Sequence, residues 1–264
     1  ADPRSRMAHA PLVILGAGYT GRFIYRVARR RRRPVFATSR DPDAHLTFAQ
    51  PRHRIRFDLR QPETWAQIPQ WSDIIWCFPA LPQDVAETFA HYALDAHSRL
   101  ILLGSTSAYR TGRSGFIDER APVNYSLPRV ASEERLRTTY GAVVLRLSGL
   151  YGPGRHVFDW IRNGKIKNTQ KFVNLIHVED VADLCLLALQ HAVPGSAYIL
   201  SDGQPRPWAE ICRFAAERFQ VDVPPATVTR EAGKRLSPKK ILSEFNYRLK
   251  HPDLFTALGE LESA

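Results

Sequence analysis

The sequence is short of the features that mark specialised classes. Cysteine is scarce: Cys77, Cys185 and Cys212 stand far apart in apolar runs without metal-ligand spacing. That excludes a disulfide framework and leaves them as reduced core residues of a cytoplasmic protein. No apolar stretch approaches the ~20 residues that a membrane-spanning helix needs, so a soluble chain without a membrane partner is expected. The run Pro11–Leu15 is too short for a secretory signal and leads straight into glycines. With 15 Gly and 19 Pro in 264 residues there is too little of either for collagen-like or low-complexity material. A hydrophobic content of 44% excludes a mostly disordered chain. Internal repeats are absent. At this length one large domain, or a main domain with a small lobe, is the expected organisation.

Acidic residues are missing where basic ones crowd. Residues 1–57 carry thirteen Arg and three Asp, a net of +10, against +11 for the whole chain. Much of this is Arg26 and the run Arg29–Arg33. Neither interleaved aromatics nor a nucleic-acid-binding motif accompanies the run. It ends a predicted helix just before Pro34, where cations oppose the negative end of the helix dipole. A solvated helix terminus is the reading, with no nucleic-acid partner. Residues 1–6 precede Met7 and read as a vector remnant.

What is present is an alternation of short apolar runs with longer amphipathic ones. Residues 12–15, 34–38, 54–59, 73–78, 100–104 and 142–147 read as strands; 20–32, 82–97 and 129–139 read as helices. Continuous apolar strands separated by helices imply a parallel sheet covered on both faces, and right-handed crossovers make it a doubly wound α/β fold. After Gly152 the rhythm changes. Residues 162–171 read as a polar loop or flap, 173–178 and 198–200 as strands, and 179–191, 208–219 and 238–245 as helices. The Pro- and Lys-rich tail beyond Gln220 lacks the apolar content for a core of its own and is expected to pack onto the main sheet.

Gly16-Ala17-Gly18-Tyr19-Thr20-Gly21 closes the first strand and opens the first helix. Gly16 permits the tight turn, Gly18 lets the backbone approach a pyrophosphate, and Gly21 lets helix and strand pack closely. The exposed helix amides, from Tyr19 and Thr20 onward, supply the anion site. An NAD-type site places an acid at the end of the second strand to hold the ribose hydroxyls. Here Thr38-Ser39-Arg40 stands instead, with no acid until Asp41. Ser39 and the Arg40 guanidinium suit a 2′-phosphate that a carboxylate would repel, and Arg22 is a second candidate. NADP (NADPH) is therefore the expected cofactor. Asp58, Leu59, Phe78 and Pro79 follow the third and fourth strands, where an adenine would rest.

The fifth predicted strand ends in Ser105-Thr106-Ser107-Ala108-Tyr109, followed by Tyr125-Ser126-Leu127-Pro128-Arg129. Further on come Arg146-Leu147-Ser148-Gly149-Leu150-Tyr151-Gly152-Pro153-Gly154 and Leu175-Ile176-His177-Val178-Glu179-Asp180-Val181. Together with the glycine turn, these resemble the short-chain dehydrogenase/reductase superfamily in its extended form, over nearly all of residues 7–258. The resemblance implies a Rossmann core, Tyr125 as proton donor and acceptor, Ser105 as the hydroxyl that orients a substrate carbonyl, and Arg129 in place of the ribose-binding lysine. It also places Ser148 beside the cofactor. A free tyrosine, with a pKa near ~10, needs an adjacent cation to act at neutral pH. Arginine keeps the charge but replaces a compact ammonium by a planar fork that does not deprotonate.

Other departures are Leu15 where the extended form usually has a glycine, and Gly149 where it often has an asparagine on a nucleotide-sugar phosphate. They resemble the atypical, YeeZ-like branch, in which the active-site set is often incomplete. His177-Val178-Glu179 matches the family's strand-to-helix junction, with Glu179 or Asp180 capping the helix, and no metal is expected. Residues 7–150 then read as the NADP-binding core. Residues 151–264 read as a substrate lobe interleaved with the last core elements at about 173–200. The expected activity is hydride transfer to or from a small polar carbonyl or alcohol. The alternatives are a sugar-nucleotide epimerase or dehydratase and a non-catalytic NADP(H) sensor. A homodimer is the oligomer that the resemblance admits.

Overall fold

The computed structural model describes residues 10–110 and 115–264, so the expected vector remnant at 1–6 lies outside the described residues. The chain runs β1 (Leu12–Leu15), α1 (Tyr19–Arg30), β2 (Val35–Ser39), α2 (Pro42–His45), β3 (Arg54–Arg56), β4 (Asp73–Trp76), α3 (Gln83–Ala93), β5 (Leu100–Ser105), β6 (Phe116–Ile117), α4 (Pro128–Tyr140), β7 (Val143–Leu147) and β8 (Gly149–Tyr151). It continues through α5 (Val157–Arg162), β9 (Phe172–Val173), β10 (Leu175–His177), α6 (Val178–His191), β11 (Ala197–Leu200), β12 (Arg206–Pro207), α7 (Trp208–Phe219), β13 (Arg235–Leu236), α8 (Lys239–Glu244) and α9 (Leu254–Ser263).

Seven strands form one sheet in the order β11-β7-β5-β4-β1-β2-β3. The pairings from β5 across to β3 are parallel, with Leu12 opposite both Val35 and Asp73. This is the doubly wound α/β fold expected from the apolar runs. The chain leaves β1 toward β2 and β3 on one side and fills β4 and β5 on the other. Such a reversal opens a crevice at the carboxyl ends of the strands.

Two compact units divide the chain. The first takes residues up to 108 with 123–146 and 181–198; the second takes 109–122, 147–180 and 199–264. In the first, Val13, Leu15, Ile74, Trp76, Leu100 and Leu102 pack with Phe89 of α3 and Leu136 of α4. In the second, Leu254, Ala257 and Leu258 of α9 pack with Ile211, Cys212 and Ala215 of α7 and with Val157, Phe158 and Ile161 of α5. The tail thus shares a separate hydrophobic core inside the second unit, contrary to the expectation that it would pack on the main sheet. α5 and α9 were not expected from sequence: α5 begins in the stretch before the predicted loop, and α9 lies in the tail.

The arginine run is not uniformly solvated. Arg33 is buried and pairs with buried Asp73 at 2.5 Å, while Arg31 lies 3.6 Å from Asp183. Asp73 also accepts the Arg99 N–H at 2.8 Å. This carboxylate at the start of β4 anchors the α1–β2 turn and the entry to β5.

Candidate functional site

A cleft of about 440 Å³ opens at the carboxyl ends of β1, β2 and β4, lined among others by Gly16, Gly18, Ser39, Arg40, Asp58 and Phe78. Its floor is the bend between β1 and α1. The Gly16 N–H donates to Thr38 Oγ1 at 3.0 Å, and the Ala17 N–H donates to the Thr38 carbonyl at 2.9 Å. Gly16 has φ +70°, and a Cβ there would overlap the Phe78 ring, so both conformation and space require glycine. A Cβ on Gly18 would meet nothing within 4 Å. That open ground beside the backbone is what an approaching pyrophosphate needs. A Cβ on Gly21 would lie 3.0 Å from Ala17 Cβ and 3.2 Å from Ile14 Cγ2, so this glycine permits helix and strand to pack closely. α1 has no acidic residue in its first turn and no side-chain cap, and its dipole therefore favours an anion there.

At the end of β2 the acid nearest in sequence is already engaged: Asp41 Oδ1 accepts the Ala44 N–H at 3.2 Å and caps α2. The Arg40 side chain is exposed, lines the cleft, and makes no ion pair or hydrogen bond among the described residues. Ser39 Oγ accepts the Asp41 N–H at 3.1 Å and lies 2.9 Å from His45 Nδ1. Opposite, Asp58 Oδ1 accepts the Arg60 N–H at 2.9 Å, and Leu59 and Arg60 line the wall. The residues present fit a dinucleotide.

Not every expected residue reaches this cleft. Tyr19, Thr20, Gly21, Arg22 and Pro79 do not line it. Arg22 lies over the Phe48 ring at 5.4 Å, and Tyr19 meets Phe23 edge to face. Ser148 belongs to the second unit, where its N–H donates to the Leu200 carbonyl and its buried Oγ has no partner among the described residues. Thr38, His45 and Arg60 were missed as site residues. Thr38 had a legible signal: a polar residue inside a buried strand, two positions before Arg40.

The expected chemical residues sit at the end of β5. The Asn124 N–H donates to the Ala108 carbonyl at 2.8 Å, which brings the turn bearing Tyr125 to the loop that follows Ser105. Tyr125 is 61% exposed. Ser105 Oγ accepts the Ser107 N–H at 3.1 Å. Arg129 donates from Nε to Glu133 Oε1 at 2.8 Å and from Nη2 to the Leu103 carbonyl at 2.7 Å. Glu133 is 2% exposed. Burial raises its carboxyl above the ordinary range, and Arg129 opposes that rise. Among the described residues no hydrogen bond joins Ser105, Tyr125 and Arg129 to one another. Arg129 thus docks α4 on β5, with Nη1 left over and its side chain about a third exposed.

In the second unit, His177, Glu179 and His251 bring three ligand-type atoms within 4.8 Å of one another. The Glu179 N–H donates to His177 Nδ1 at 3.1 Å, so the remaining ring nitrogen carries the hydrogen and is no metal ligand. Burial and the neighbouring His251 ring push His177 down to about 4. The His177 ring therefore caps the amide that opens α6, in place of the expected carboxylate. Asp180 instead accepts from Tyr247 Oη at 2.8 Å and from the Lys250 and His251 amides at 2.7 and 3.1 Å.

Comparison with known proteins places this geometry. A model of the NAD dependent epimerase/dehydratase family matches residues 12–200. Protein YeeZ of Escherichia coli (strain K12) is 29% identical over 164 residues; the match covers 59% of this chain and 59% of YeeZ, so the chain spans about three-fifths of the length of this relative. A nucleoside-diphosphate-sugar epimerase from Pseudomonas aeruginosa superposes with a TM-score of 0.80 at 18% identity, covering 97% of each chain. A functionally unknown conserved protein from Silicibacter pomeroyi gives 0.78 at 24% identity, covering 96% of this chain and 98% of that one. These two likenesses are of fold.

Proposed function

The chain belongs to the NAD-dependent epimerase/dehydratase family, and from that premise we propose that it is an NADP(H)-dependent oxidoreductase acting on a small polar carbonyl or alcohol. The observation that carries this reading is the bend at Gly16, with open ground at Gly18, beside an unpaired Arg40. The Gly16–Gly18 bend and the positive end of the α1 dipole face the pyrophosphate, Ser39 and Arg40 the 2′-phosphate, and Asp58, Leu59 and Phe78 flank the adenine. The bound dinucleotide supplies a hydride donor or acceptor. Ser105 orients the substrate oxygen, and the Tyr125 hydroxyl gives or takes the proton at that oxygen. Arg129, already tied to Glu133 and Leu103, offers Nη1 to a ribose hydroxyl. We assign the first unit to the dinucleotide and the second to choosing the substrate.

A sugar-nucleotide substrate is less well served. A Cβ at Gly149 would lie 2.5 Å from Leu175 Cδ2 and 3.1 Å from the Asn174 carbonyl, so an asparagine there would have to displace the Leu175 side chain. A second reading, an NADP(H) sensor without turnover, is favoured by the two bonds that already occupy Arg129.

Rates with NADPH or NADP over a panel of small polar carbonyls and alcohols, parent against Tyr125→Phe, separate the two. The enzyme reading expects the substitution to cost about a hundredfold in rate with cofactor affinity unchanged. A rate within about twofold, roughly 0.4 kcal/mol on the barrier, removes Tyr125 from the acid–base role. An inactive parent that still binds NADPH supports the sensor.

A further inference from the structure

We propose that His45 is a positioning residue for NADP selectivity, acting through Ser39; this rests on the NADP reading above. Ser39 Oγ already accepts the Asp41 N–H at 3.1 Å and lies 2.9 Å from His45 Nδ1, and both side chains line the dinucleotide cleft. The serine has one hydrogen to give. If His45 Nδ1 is the acceptor, that hydrogen is spent on the ring and Ser39 presents only lone pairs to the cleft. If His45 carries its hydrogen on Nδ1, the ring donates to Ser39, and the serine hydrogen turns to whatever acceptor occupies the cleft. A phosphate oxygen rewards the second arrangement; a free ribose hydroxyl, which donates as well as accepts, is satisfied by either. With the ring and the Asp41 N–H both donating to Oγ, the Ser39 hydrogen is held toward the cleft; without the ring the hydroxyl turns freely and that alignment is lost, so the imidazole positions Ser39 for the 2′-phosphate.

Among the described residues Ser39 is the side-chain partner of His45 Nδ1. His45 is exposed at the end of the four-residue α2, whose start is capped by Asp41 Oδ1. α2 packs against β2 and β3. Asp43 on the same helix faces Arg54 at 4.0 Å, so that carboxylate has its own cation. Arg40 and Arg60, both in the cleft wall, make no ion pair among the described residues and add charge that any phosphate meets.

The test is a double-mutant cycle on cofactor affinity, measured by calorimetry with NADPH and with NADH on the parent, His45→Ala, Ser39→Ala and the double variant. Position 45 is exposed, so the truncation leaves the fold standing, which a thermal melt checks. The expected result is a five- to tenfold loss of NADPH affinity in His45→Ala with NADH unchanged, a similar loss in Ser39→Ala, and no further loss in the double variant. His45→Ala that weakens both cofactors equally, or losses that multiply in the double variant, overturns the inference. So does an unchanged NADPH affinity in a parent that prefers NADPH. A parent that binds NADH as tightly as NADPH overturns the NADP reading itself, and this inference falls with it.

Discussion

A methyl group on Gly18 would meet no atom within 4 Å, whereas one on Gly16 would enter the Phe78 ring from a backbone with φ +70°. Two glycines of one turn thus differ in what surrounds them: open ground at Gly18, and a left-handed backbone against a ring at Gly16. Gly18→Ala is expected to cost under about 1 kcal/mol of stability yet at least tenfold in NADPH affinity, because the methyl takes the pyrophosphate's place. Gly16→Ala should cost roughly 2 kcal/mol or more, for the left-handed backbone and the overlap together. Urea denaturation beside calorimetric titration reads both quantities. In the second unit burial raises the Asp202 carboxyl to about 7, with Asp253 and Asp180 adding to the rise and the Gln204 N–H and Arg206 opposing it. A raised folded-state pKa contributes stability that is present below about pH 4 and lost as pH climbs through about 7. Asp202→Asn, which keeps an acceptor for the Gln204 N–H, should therefore raise Tm by a few degrees at pH 8 and leave it unchanged near pH 4.

Among the elements, β4 shows how a local charge fixes a long-range register. Asp73 holds Arg33 from the α1–β2 turn and the Arg99 amide at the entry to β5. Asp73→Ala would leave a buried guanidinium without its partner, at a cost of about 3–5 kcal/mol by chemical denaturation. Elements with a clean apolar run or a clean amphipathic period were legible from sequence: β1 and α7 fall at the residues their patterns marked, and β5 runs one residue further. Where polar residues interrupt, the pattern overshoots. The predicted strand at 54–59 stops at Arg56, because Asp58 turns to bind the Arg60 amide and Thr64. The helix α9 was missed although Asp253 caps it and Leu254, Ala257, Leu258 and Leu261 recur on one face. That face is covered by α5 and α7, so its burial depends on distant segments that local periodicity does not reveal. The glycine turn was legible because each glycine answers to a local demand. His45 was not, since its part depends on Ser39, brought beside it by a turn of the chain.

On the scale of the whole molecule, the first unit carries a cleft lined by residues at the ends of β1, β2, β3 and β4, and the second carries its own apolar core. Among the described residues no helix is long and apolar enough to cross a membrane. The central claim is that the cleft takes a nicotinamide dinucleotide with an extra phosphate. Calorimetric titration of one preparation with NADPH and with NADH tests it most directly. At least tenfold tighter binding of NADPH is the predicted result; tighter binding of NADH, or no binding of either nucleotide, would contradict it.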